Sequence, residues 1–154
     1  MSKIEQKLQE MGLELPPYTA PKAAYVPTVQ VGKLVFVSGQ GVTREGKELM
    51  MGHVGAEITL EQAQEGARIC ALNALCVLKH ALGDLDRIRR IVKVQGFVNS
   101  APGFDKQPWV INGFSELMQQ LFGENGRHAR TAVSCNELPF GTPVEVEMIV
   151  EIDG

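Results

Sequence analysis

The spacing of apolar positions changes period several times along the chain, and each change marks an element. Ile4, Leu8 and Met11 recur at helical spacing behind Ser2-Lys3-Ile4-Glu5, which has the form of a capping box, and Gly12 is a suitable stop. Leu15-Pro16-Pro17 then breaks the helix and starts an extended linker to Pro21. Two strands are expected next, Ala24 to Val31 and Leu34 to Ser38, the second dense in β-branched and aromatic residues. Gly32-Lys33 between them is a hairpin signal. Ser38-Gly39-Gln40-Gly41 reads as a backbone-exposing turn, and the Gly-rich, polar stretch from Arg44 to Gly55 as a loop with room for one short strand.

A second capping box, Thr59-Leu60-Glu61-Gln62, opens a long helix. Its apolar face is Ala63, Ala67, Cys70, Ala71, Ala74, Leu75 and Leu78, mostly small, so the helix can lie close against a sheet. Gly83 is placed to end it. Ile91 to Val98 is a third strand. Val110, Ile111, Phe114, Leu117, Met118, Leu121 and Phe122 give a further amphipathic helix, followed by a Gly-rich turn. Thr131 to Asn136 is a strand, Leu138 to Pro143 a turn, and Val144 to Ile152 a strand whose Val144, Val146, Met148 and Val150 alternate with Glu145, Glu147, Ile149 and Glu151.

The order is ββ, α, β, α, ββ, two β-α-β units whose helices share one face of a sheet, an α+β layer. The three glutamates on the other face of the last strand need water or a partner chain. If the turn through Pro139 and Gly141 closes a hairpin, that face carries or adjoins Arg130, Ala132 and Ser134.

Composition narrows the picture. A length of 154 residues is one domain's worth on a prior of roughly 100–200 residues per domain, read as a helix and linker over residues 1–21 and a domain over 22–154. A formal net charge of -3 argues against a dedicated nucleic-acid binder, which usually carries a basic face. The cysteines are Cys70, Cys76 and Cys135, an odd number with no CxxC pair, so a reducing compartment fits and no disulfide framework is expected. The N-terminus has acids early and no apolar h-region, and no apolar run is long enough to span a bilayer, so the cytoplasm is the expected location.

The chemistry-bearing residues are few. Arg127-His128-Ala129-Arg130 lies between a Gly-rich turn and a strand, where an arginine can grip a carboxylate or phosphate bidentately or simply belong to a solvated charged turn. Glu145 and Glu147 share a strand face, from which a carboxylate can orient a water or merely face solvent or an interface. His53, His80 and His128 are scattered without metal-ligand spacing, so no metal is expected. Ser38-Gly39-Gln40-Gly41 is neither a nucleophile elbow nor a P-loop.

Arg130-Thr131-Ala132-Val133, then Leu138-Pro139, then Val144-Glu145-Val146-Glu147 resemble the C-terminal signature of the Rid family, also called the YjgF or L-PSP endoribonuclease family. Gly32-Lys33-Leu34-Val35-Phe36-Val37-Ser38-Gly39-Gln40 resembles its N-terminal strand motif, and the segment from Ala63 to Gly83 its first helix. The likeness runs in order from Ala24 to Ile152, and the N-terminal helix points to a longer subgroup. The resemblance implies a chorismate-mutase-like fold, a mixed sheet with two long helices on one face, and a homotrimer with a cleft at each subunit interface. It implies that Arg130 anchors a substrate carboxylate, that Glu145 positions the attacking water, and that Tyr25, Ser38 and Asn112 line the cleft. Ala132 stands where the family frequently has a cysteine, which alters the pocket.

The activity so implied is hydrolysis of reactive imines and enamines derived from amino acids, a reaction needing a carboxylate anchor, a water and a proton relay but no cofactor. Two other readings stand beside it. One is an endoribonuclease on single-stranded RNA with His128 and Glu145 as acid and base, against which the acidic balance and an aromatic content of 6% argue. The other is a trimer that binds small carboxylates without chemistry.

Overall fold

The computed structural model describes all residues, 1–154. Helix α1, Lys3–Glu10, begins with both halves of the expected capping box between Ser2 and Glu5. Its Ile4 and Leu8 join the main hydrophobic core. Lys7 donates from Nζ to the Leu121 carbonyl at 2.9 Å, Asp86 caps the first turn, and Glu5 pairs with Lys79.

Strand β1 is Thr28–Val31 and β2 is Leu34–Gln40. The first is shorter than its apolar run suggested: Tyr25 and Val26 stand exposed ahead of it, and pairing begins only where Thr28 meets Val37. The second is longer, because the expected turn at Ser38 is a bulged strand: pairing shifts register between Val37 and Gln40. The polar stretch that follows holds a small hairpin, β3 (Thr43–Arg44) and β4 (Lys47–Glu48).

Helix α2, Leu60–Leu82, starts at the Thr59–Gln62 capping box and stops at Gly83, whose φ of 82° lies in the region that favours glycine. Strand β5 is Ile88–Asn99, α3 is Gln107–Phe122, β6 is Ala129–Cys135 and β7 is Val144–Ile152. The sheet order is β1-β2-β7-β5-β6. Every neighbouring pair is antiparallel except β5 and β6. Thus β5-α3-β6 is a true parallel crossover unit, while β7 lies between β2 and β5 in the other one.

The inserted β7 alternates as its sequence does. Val144, Val146, Met148, Val150 and Ile152 are at most 2% exposed and face the two long helices. Each such side chain contributes about 1.5–3 kcal/mol by leaving water. The opposite sheet face is uncovered. Val29, Val31, Leu34, Phe36 and Val133 are exposed there, with Phe97 and Ile149 half-buried between them.

Small residues set the spacing of the helices. A Cβ on Gly113 would collide with the backbone carbonyl of Gln64, so α2 and α3 approach closely at that point. Cys70 and Cys76 are buried as small apolar side chains, and burial pushes the Cys70 thiol well up. No helix is long and apolar enough to cross a membrane.

Candidate functional site

The conditional hairpin between the last two strands does not form, because β5 runs between β6 and β7. This fixes which face each candidate occupies. Side chains of paired residues share a sheet face. Arg130 pairs with Val94 and Ala132 with Gly96, and Val94 is core, so Arg130 and Ala132 lie on the helix side. Glu145 pairs with Phe97 and Glu147 with Gln95, on the open side. Within one chain the structure therefore separates Arg130 and Ala132 from Glu145, which the hairpin would have placed together.

Arg130 is brought to Asn112. The guanidinium donates from Nη1 to Asn112 Oδ1 at 2.8 Å and to Ser115 Oγ at 3.2 Å, and from Nη2 to the Pro108 carbonyl at 3.2 Å. All three acceptors belong to α3. Asn112 and Ser115 share a helix face because they are three residues apart. Pro108 lies in the first turn, where its missing N–H costs nothing. Burial lowers the Arg130 pKa, but a guanidinium stays charged throughout the ordinary pH range. Of its five N–H donors, these bonds engage three and leave two, the number a bidentate carboxylate accepts. A polar cavity of about 330 Å³ opens here, lined by Asn112, Ser115, Glu116, Gln119, His128 and Arg130.

His128 completes this side. Its Nδ1 lies 2.7 Å from the Gly126 carbonyl and its Nε2 lies 2.8 Å from Ser115 Oγ. Burial holds its pKa below the usual histidine range, against an upward pull from the Gly126 carbonyl and with a smaller downward push from the Arg130 charge.

Ser38, Gly39 and Glu145 form a second group on β2 and β7. A Cβ on Gly39 would overlap the Glu145 carboxylate, so the bare glycine in the bulge makes the space that carboxylate occupies. Ser38 Oγ accepts from Gln40 Nε2 at 3.5 Å. Burial, and then the charge of Glu147, raise the Glu145 pKa. Glu48 of β4 is pushed up as well, by burial and then by Glu145, and its Oε2 is buried without a hydrogen-bond partner. Tyr25 stands exposed before β1, apart from the Arg130 group.

Ser115 and Glu48 are site neighbours that the sequence reading did not single out. Ser115 was legible in principle, being three residues from Asn112 on one helix. Glu48 was not, since it reaches Glu145 from the β3–β4 hairpin, far away in sequence. A second cavity, of about 550 Å³, includes His53, Cys135 and Glu137 but none of the six candidate residues.

Comparison with known proteins follows the same outline. A family model described as YjgF/chorismate mutase-like, putative endoribonuclease, matches residues 5–152. The chain is 44% identical over 152 residues to Protein TCP17 of Trypanosoma cruzi, covering 98% of this chain and 95% of the relative. A crystal structure of a protein of unknown function from Agrobacterium tumefaciens shares 46% identity and a TM-score of 0.87, over 98% of this chain and 92% of that one. One of a putative endoribonuclease from Shewanella oneidensis MR-1 shares 34% identity and a TM-score of 0.92, over 97% and 99% of the two chains.

Proposed function

The chain belongs to the YjgF/chorismate mutase-like, putative endoribonuclease family, and on that premise we propose that it hydrolyses reactive imines and enamines carrying a carboxylate. The observation that carries this reading is the state of Arg130: fixed by three bonds to α3, with two donors free beside a polar cavity. Such a group takes a planar carboxylate through two charge-assisted bonds.

The chemistry consumes one water. An enamine first tautomerises to the imine. Water adds to the imine carbon, forming a C–O bond and a carbinolamine. The C–N bond then breaks, giving a 2-oxo acid and ammonia. Glu145 orients the water, takes its proton and passes it to the departing nitrogen. Its raised pKa brings its proton affinity closer to that task. Anchoring the substrate beside the water removes the entropy cost of bringing the two together.

Arg130 and Glu145 occupy opposite sheet faces, so the proposed site is assembled between subunits. In a homotrimer the exposed apolar side of one copy, including Phe36 and Val133, lies against the edge of the next. The Arg130–Asn112 group of one subunit then meets the Ser38–Glu145 group of another, with Tyr25 and Ala132 along the cleft.

The test is ammonia release from freshly generated 2-iminobutanoate. Wild-type protein should accelerate it, and Arg130→Ala should lose at least about tenfold in kcat/KM, one charged hydrogen bond being worth about 1.5–3 kcal/mol. Equal rates with and without the wild-type protein would overturn the proposal.

A further inference from the structure

We infer that His128, acting through the Ser115 hydroxyl, is a positioning residue that sets how Arg130 presents its free donors; this rests on Arg130 being the carboxylate anchor. The argument is one of proton bookkeeping. The Gly126 carbonyl only accepts, and it lies 2.7 Å from Nδ1, so Nδ1 carries the proton. A neutral imidazole then has a bare Nε2, and Ser115 Oγ at 2.8 Å must donate to it. A hydroxyl has one proton. With that proton committed to His128, the oxygen turns lone pairs to Arg130 Nη1 at 3.2 Å. A hydroxyl free to rotate would point its proton at the guanidinium part of the time, donor against donor.

The surroundings hold the chain of bonds in place. Ser115 is 5% exposed, so water cannot readily replace either partner. Gly126 is buried where a Cβ would strike the Met118 carbonyl of α3, and this close approach brings the turn, and His128 two residues on, against the helix. Depression of the His128 pKa by burial keeps the ring neutral, as the bond order requires. Arg130 Nη1 is thereby fixed from two sides, by Asn112 and by Ser115, which leaves the guanidinium's two free donors on Nε and Nη2, beside the cavity.

The test compares His128→Gln, His128→Asn and Ser115→Ala. Glutamine keeps an acceptor near the Nε2 position; asparagine reaches only toward Gly126. His128→Asn and Ser115→Ala should raise KM for 2-iminobutanoate about five- to tenfold, the scale of one neutral hydrogen bond, with kcat within about twofold. His128→Gln should recover most of the loss. Asparagine and glutamine variants that behave alike, or a fall in kcat at constant KM, would overturn the inference. Nitrogen-15 NMR of the wild-type ring should show the neutral Nδ1–H tautomer, and the Nε2–H tautomer would also overturn it.

Calorimetry with 2-oxobutanoate keeps this inference distinct from the proposed activity. Binding by the wild type without turnover rejects only the catalytic reading, and the same ranking of variants should then appear in Kd. Neither binding nor turnover would reject the anchor role of Arg130 and the positioning role with it.

Discussion

Substituting alanine for Gly113 sets two effects of known size against each other. In an open helix interior the change is stabilising by about 0.8–1 kcal/mol, because alanine has the higher helix propensity. Gly113, however, sits where a Cβ meets the Gln64 backbone carbonyl of α2. A backbone atom cannot swing aside as a side-chain tip does, so the two helices must part. Overpacking of this kind costs about 1–3 kcal/mol, and the rigid obstacle places it in the upper half of that range. The net result is a loss of about 1–2 kcal/mol. For a chain of this size each kcal/mol corresponds to roughly 2–4 °C in Tm, so a fall of about 2–8 °C is expected by differential scanning calorimetry. Gly113 also lies between Asn112 and Ser115, so the same shift should weaken the carboxylate binding proposed for Arg130. A Tm raised by a few degrees, as on an open helix face, would refute the reasoning.

Acid stability and assembly give two further outcomes. The bonds from Lys79 and then from the Ser2 backbone hold the Glu5 carboxyl down from 4.5 to about 2. A depressed carboxylate contributes stability that is complete above its unfolded value and lost as pH falls through the folded one, so the contribution should disappear between about pH 4.5 and 2. Urea midpoints should fall further over that window in the wild type than in Glu5→Gln, and parallel losses would contradict the assignment. Phe36, 42% exposed on the open face, is covered in the proposed trimer. Phe36→Glu should then reduce the mass measured by sedimentation from trimer to monomer, and an unchanged mass would exclude this face as the contact.

Local chemistry made much of the fold readable. The Ser2–Glu5 and Thr59–Gln62 boxes mark helix starts within hydrogen-bonding reach, and the two-residue alternation of Val144 to Ile152 reports two different environments directly. Strand order is a long-range property that no window of residues contains. The insertion of β7 between β2 and β5 was therefore not readable, and it decides that Arg130 and Glu145 lie on opposite faces. Similarly, Ser38-Gly39-Gln40 carries turn-forming residues, yet its glycine serves a bulge beside a carboxylate. Resemblance to a family supplied the candidate residues themselves, and the structure joins two of them, Arg130 and Asn112, by a hydrogen bond. It carried no information on Ser115 or its bond to His128.

The place of β7 bears on how this protein is made. During synthesis the β1–β2 hairpin emerges early and the β5-α3-β6 unit later, but nothing joins them edge to edge until residues 144–152 arrive. The β1–β2 hairpin, complete at Gln40, therefore keeps an open edge through most of translation, and the β5-α3-β6 unit, complete only at Cys135, adds a second just before β7 arrives, the condition under which unpaired strands find wrong partners. Premature termination before Val144 would remove the central strand rather than a peripheral one. The product would be two halves with a gap between them, a substrate for chaperones or proteases instead of a shortened version of the fold.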